Sequence, residues 1–198
     1  MTAKVKVIEA TANSDFDAIR QVYYVTWQDA YHGLISDDFL AHLSPASWHP
    51  ERRWQDTLLA VDDKDKIVGV CSFGPARLPD FNGWGELYSI YVLPQFQHTG
   101  VGAVMMTRAL QRLHEKFDQF YIRVLDNNVS AQKFYQHFGF SMTDQIMECL
   151  GKDFKKMGEY EIRDDFCGHV RDIVEKMCIE SQLQESLEFV DISTLEER

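Results

Sequence analysis

The stretch QFQHTGVGAVMM, residues 95–106, sets Gly100 and Gly102 two positions apart where apolar side chains begin to recur at helical spacing. The stripe runs through Met106, Leu110, Leu113 and Phe117 and predicts a helix from Val101 to Phe117. Upstream, ELYSIYVL (86–93) is a β-branched and aromatic run suited to a central strand, which Pro94 ends. A helix start exposes unpaired N–H groups and the positive end of the helix dipole. Glycine at that point leaves the amides from about Gln97 to Gly102 open to a pyrophosphate. No Gly-Lys-Ser/Thr follows, so this is not a Walker loop, and Met105 occupies the third position of a G-x-G-x-x-G pattern. A tight loop needing unusual dihedrals explains two glycines equally well.

On the N-terminal side, KVKVIEA alternates as a strand, and Ser14-Asp15 caps a helix with apolar positions Phe16, Ile19, Val22/Tyr23 and Trp27. Ser36 starts a short second helix reaching Leu43, and one or two helical turns follow from Pro50 to Asp56. LLAVDD and KIVGVCSFGPA pair around the charged turn Asp62 to Lys66, and Asn82-Gly83 marks a further hairpin. On the C-terminal side, FYIRVL is a strand, Val129 to His137 a helix stopped by Gly139, and FSMTDQIMECL and GEYEI are closing strands. The expected fold class is α/β (α+β), a sheet with crossover helices.

The chain has 198 residues, a net charge of −11 and 45% hydrophobic residues, enough for one domain with a sizeable core. The acidity and the lack of a basic stripe argue against nucleic acid as a partner. There is no apolar leader at the start and no run of 18 apolar residues, so the reading is a cytoplasmic protein without membrane insertion. Cys71, Cys149, Cys167 and Cys178 form no C-x-x-C pair, and neither they nor the scattered histidines suggest a metal site. The last 40 residues carry 12 acids against 4 bases. Phe166, Val170, Ile173/Val174 and Met177 recur as one apolar face, so we expect an acidic amphipathic helix after the main domain, over 164–198, docking on the core or on a second subunit of a homodimer.

Gln97, Gly100 and Gly102 fill the Q/R-x-x-G-x-G/A loop of the GNAT superfamily of N-acetyltransferases. Asn128, Ala131, Tyr135, Gly139 and Phe140 resemble, in order, its N-x-x-A-x-x-x-Y-x-x-x-G-F motif, about 30 residues on. The resemblance covers about residues 5 to 163, the expected catalytic domain taken as 1–163. It implies a mixed, mostly antiparallel sheet flanked by helices, acetyl-CoA as cosubstrate and transfer to a primary amine of a small molecule or peptide. It also implies roles. The loop Gln97, His98, Thr99, Gly100, Val101 and Gly102 would hold the pyrophosphate, and Asn128 and Ala131 would lie at the cofactor. Backbone N–H groups near Tyr91, Val92 and Leu93 would hold the developing oxyanion where two strands splay. Tyr135 would be the general acid and Glu86 a base acting through water. Many relatives carry Lys or Arg just before the first motif glycine; Thr99 stands here, so binding leans on amides and dipole.

Trp27, Tyr31, Trp48, Trp54 and Trp84 are candidates for an acceptor pocket, and core packing accounts for most of them as well. An acyl-cysteine route through Cys71 or Cys149 lacks a sequence partner. The rival reading is a catalytically weak acyl-CoA-binding regulatory or interaction module.

Overall fold

The computed structural model describes residues 4–147 and 176–181, with side chains described through Ser141. The chain starts with β1 (Lys6–Glu9), α1 (Phe16–Ala30) and α2 (Asp37–His42). Both of these helices begin where the sequence supplies an acceptor for an orphan amide. Asp15 accepts from the Ala18 N–H, and Ser36 from that of Phe39. Two 3₁₀ turns, Pro50–Arg52 and Trp54–Asp56, lead into β2 (Thr57–Val61) and β3 (Ile67–Pro75), then β4 (Gly85–Val92). The β3–β4 hairpin is longer than a two-residue turn. Asn82 keeps a negative φ of −57° and only Gly83 turns left-handed, at +89°.

Helix α3 (Val101–His114) crosses back to β5 (Phe120–Leu125), and α4 (Val129–His137) leads to β6 (Phe140–Met147). Among the described residues the sheet has the order β1-β2-β3-β4-β5-β7-β6, where β7 is Lys176–Ser181. Every neighbouring pair is antiparallel except β4 and β5, joined by the α3 crossover.

The C-terminal expectation needs correction. Met177, placed at the end of an amphipathic helix, lies in β7, inserted between β5 and β6. The run Lys176-Met177-Cys178-Ile179-Glu180 fits either period, and the unpaired edge of β5 decides it by offering a ladder of backbone partners. Phe166, Val170, Ile173 and Val174, and the expected strand 158–162, lie outside the described residues.

Two cores sandwich the sheet. On one face α3 and α4 bury Met105, Met106, Leu110, Leu113 and Tyr135 against Leu58, Leu87, Ile122 and Val124. On the other, α1 and α2 bury Ile19, Trp27, Phe39 and Leu40 against Leu59 and Val70. Gly85 is where α3 comes closest to β4: a Cβ there would stand 2.8 Å from both Leu113 Cδ2 and Phe117 Cδ2. Gly85→Ala is expected to lose about 1–3 kcal/mol by overpacking, read as a lower denaturant midpoint at unchanged slope. An unshifted midpoint would mean that α3 yields freely there.

Candidate active site

Strand β4 pairs with β5 only at Gly85↔Phe120, Glu86↔Tyr121 and Leu87↔Ile122. The next residue, Tyr88, has no partner on β3 either, because the β3 register jumps from Ser72↔Ser89 to Phe73↔Leu87. One extra residue in a strand bends it. The bulge therefore turns β4 away from β5 directly after their last pair and opens a split between Tyr88–Val92 and Arg123–Leu125. Tyr23 pins the bend, its hydroxyl lying 3.3 Å from Ser72 Oγ and 3.0 Å from Ser89 Oγ.

The open side of β4 carries backbone donors. The Leu93 N–H is spent on the Val68 carbonyl at 2.9 Å, so Leu93, expected among the oxyanion donors, is not available as one. Because N–H groups alternate along a strand, Tyr91 is also turned to β3 and Val92 faces the split. One member of the expected trio keeps its amide on that side.

At the end of β4 the chain turns through Pro94–Phe96 and reaches α3. Gln97 Nε2 donates to the Val92 carbonyl at 3.1 Å, and the Thr99 hydroxyl to the Phe96 carbonyl at 2.6 Å. Both polar side chains thus close the loop on itself instead of reaching outward. His98 and Gly100 sit at positive φ, 59° and 89°, and the helix that starts at Val101 has no side-chain cap. A Cβ at Gly100 would meet nothing within 4 Å, whereas one at Gly102 would point back to Phe134 at 3.6 Å. The two glycines differ: Gly100 takes the left-handed turn and leaves the space over the first α3 amides clear, whereas a Cβ at Gly102 would make only an ordinary contact with α4. This cradle fits an anionic diphosphate, held by uncapped N–H groups and the helix dipole with no basic side chain in the motif.

Tyr135 lies on α4, 8% exposed, with ring centroids 5.6 Å from Phe134 and 6.1 Å from Phe140. Its hydroxyl has no hydrogen-bond partner among the described residues. Burial pushes its pKa well above the usual phenol range, and Tyr31 and Cys71 add in the same direction, so the phenol stays protonated. Asn128 is the α4 cap: its Oδ1 accepts from the Ala131 N–H at 3.1 Å. Cys71 is fully buried and burial raises its thiol pKa, so it remains an unreactive thiol in the core.

Glu86 does not stand where a base acting through water would. It is completely buried, and its carboxylate accepts from the Arg77 N–H and guanidinium, from the Tyr121 hydroxyl at 3.0 Å, and from Arg123 Nε and Nη2 at 3.2 and 3.0 Å. Burial by itself raises its pKa. The Arg77 hydrogen bonds and the charges of Arg77 and Arg123 outweigh that and hold it below the usual carboxylate range. A carboxylate so committed is a poor proton acceptor at neutral pH. The two arginines and Tyr121 were not anticipated from sequence, because the loop carrying Arg77 and strand β5 are joined to β4 only in three dimensions.

Of the candidate acceptor aromatics, Trp27, Tyr31 and Trp48 gather with Tyr23 and Tyr91 on the α1 face. Trp27 and Tyr31 ring centroids are 4.3 Å apart, and the Tyr31 and Tyr91 hydroxyls lie 3.2 Å apart. Trp54 packs at the edge of this cluster, and Trp84 belongs to a separate one with Phe81 and Tyr121. The α1 face at the split is thus walled by two indoles and three phenols.

The sequence profile of the Acetyltransferase (GNAT) family matches residues 16–140. The chain belongs to the GNAT acetyltransferase family. Membership makes it an acetyl-CoA-dependent acetyltransferase. It is 27% identical over 150 residues to the uncharacterized N-acetyltransferase YuaI of Bacillus subtilis (strain 168), spanning 73% of this chain and 86% of that protein. Its fold is similar to that of the PaiA N-acetyltransferase from Thermoplasma acidophilum in complex with coenzyme A (TM-score 0.62, 15% identity, 90% of this chain and 98% of that one). It is similar as well to yncA, a putative acetyltransferase from Salmonella typhimurium with its cofactor acetyl-CoA (TM-score 0.58, 20% identity, 91% and 95%). Among the described residues of this GNAT chain no helix is long and apolar enough to cross a membrane.

The glycine of the cradle gives a direct test. Gly100→Val is expected to raise the KM for acetyl-CoA by about 10-fold or more, since a β-branched residue resists the left-handed turn and fills the space over the amides. CoA titration by thermal shift checks it; unchanged CoA protection would mean that the anion binds elsewhere.

Proposed function

We propose that this GNAT acetyltransferase transfers the acetyl group of acetyl-CoA to a primary amine of a small molecule or peptide, directly within a ternary complex. The observation that supports the reading best is the split between β4 and β5 leading straight to the uncapped start of α3. An extended arm can lie in the split while its diphosphate rests on the amides at Gly100 to Gly102.

Acetyl-CoA supplies the thioester; the chain supplies position, a dipole and a proton. The amides at Val101 and Gly102 anchor the diphosphate end, which fixes how deep the reactive end reaches. The Val92 N–H, on the open side of β4, polarises the acetyl oxygen. An amine arriving from the α1 face forms its N–C bond as the C–S bond breaks. Tyr135, kept neutral by burial, gives its proton to the departing sulfur and regains one through solvent from the acetylated nitrogen. Glu86 contributes structure to the site, not the proton transfer first expected of it. We also place the enzyme in the cytoplasm.

Thiol release from acetyl-CoA across a panel of amines tests the reading, together with thermal protection by CoA. Release with at least one amine and protection by CoA are expected. Protection without release from any amine would support the acyl-CoA-binding module instead.

A further inference from the structure

We propose that the acceptor carries a carboxylate beside the amine that is acetylated, and that the Nη1 edge of Arg123 receives it. This names the substrate class of the site above and rests on the acetyl-transfer reading.

The inference starts from a guanidinium that is only partly satisfied. The Arg123 side chain is 6% exposed, and its Nε and Nη2 donate to Glu86 Oε1. Nη1, on the other edge, is enclosed and has no hydrogen-bond partner among the described residues. A charged donor buried without an acceptor is costly, and proteins keep such groups chiefly where function requires them. The position gives the function. Arg123 is the first β5 residue beyond Leu87↔Ile122, the last pair before β4 and β5 part, so it stands at the apex of the split. Ile122 and Val124 on either side of it pack with α3 and α4. Alternation therefore turns Arg123, like Tyr121, to the opposite face, from which the acceptor approaches.

Charge selects the ligand. Arg77 and Arg53 lie over the Tyr88 ring at 4.2 and 5.0 Å, so three guanidiniums meet here. Among the described side chains, Glu86 is held by Arg77 and Arg123, and Asp56 pairs with Lys116 at 3.5 Å. In the register of β7, Cys178 stands opposite Arg123 and Glu180 opposite Tyr121. In a chain with a net charge of −11, three guanidiniums among the described residues come together on this face. A polyamine would be repelled where its second ammonium approached Arg123, whereas a carboxylate would complete the guanidinium's bonding with a charge-assisted pair. Glu86 holds the other edge of the same guanidinium, which orients it for that role.

The test uses the full chain, acetyl-CoA and matched acceptors that differ only in the acid: α-amino acids against their amides, ω-amino acids against alkylamines, and spermidine. Carboxylate-bearing members are expected to give kcat/KM about 10- to 100-fold above their neutral partners, the range for one hydrogen bond to a charged group. Arg123→Lys keeps a cation beside Glu86 but removes Nη1. It should raise KM for the acid member by a similar factor relative to its neutral partner, bringing their kcat/KM ratio toward one, with CoA protection retained. A variant that melts early is replaced by wild-type competition between acid and amide. Equal turnover of acid and neutral members, or a preference for spermidine, overturns the proposal; equal turnover with an early-melting Arg123 variant would mean that the partner of Nη1 is internal. CoA protection with no turnover, and no added protection by the acids, also overturns it. Loss of CoA protection itself overturns the reading beneath.

Discussion

Replacing Tyr135 by phenylalanine is expected to slow thiol release from acetyl-CoA by about 10²- to 10⁴-fold, the usual worth of a placed general acid. Thermal protection by CoA should remain, because the substitution leaves the α3 amides untouched. The change removes one oxygen from a ring already packed among Phe134 and Phe140. That hydroxyl has no partner among the described residues, so its loss orphans nothing, and the melting temperature should hold or rise slightly. The two readouts separate the roles. A phenol that merely packs would move neither, whereas a general acid moves the rate alone. Full activity in the variant would remove Tyr135 from the chemistry and leave solvent to protonate the sulfur.

Glu86→Ala has the largest expected effect on stability. Its carboxylate is the common acceptor for Arg77, Arg123 and Tyr121, and both guanidiniums are mostly buried. Removing it leaves two like charges facing each other in a site that water reaches poorly. Breaking a buried pair by deleting one partner costs about 3–5 kcal/mol. In a domain of this size that is a fall in melting temperature of about 10 °C or more. The pH dependence has a fixed sign. The folded pKa lies below the ordinary carboxylate value, so this contribution is complete above that value and is lost as pH falls through the folded one. Acidification should therefore narrow the gap in melting temperature between wild type and Glu86→Gln. A gap that stays constant through the acid range would show that the ion pairs contribute nothing to stability.

How far the site was legible in the sequence follows from which of its parts are local. Gly100 and Gly102, the cap at Asn128 and the position of Tyr135 on its helix depend on neighbours a few residues away, so their spacing carried them. The fate of each side chain did not. Gln97 and Thr99 lie in the expected phosphate loop, and their side chains tie that loop to Val92 and Phe96. Leu93 gave its amide to Val68, a strand away. Glu86 looked like a base at a strand end, and only the approach of the Arg77 loop and of β5 showed it to be enclosed.

The sequence by itself determined the alternation of strands and helices, the uncapped helix start behind a central strand and the family, because periodicity, turn residues and caps act over a handful of positions. The tertiary structure alone decided that a bulge at Tyr88 parts β4 from β5, and that Lys176–Ser181 completes the sheet instead of continuing a helix. It alone decided, too, that Arg123 turns one edge to Glu86 and has no partner for the other among the described residues. Those outcomes depend on which backbone edges and charges meet across the sheet, and segments far apart in the chain compete for the same partners.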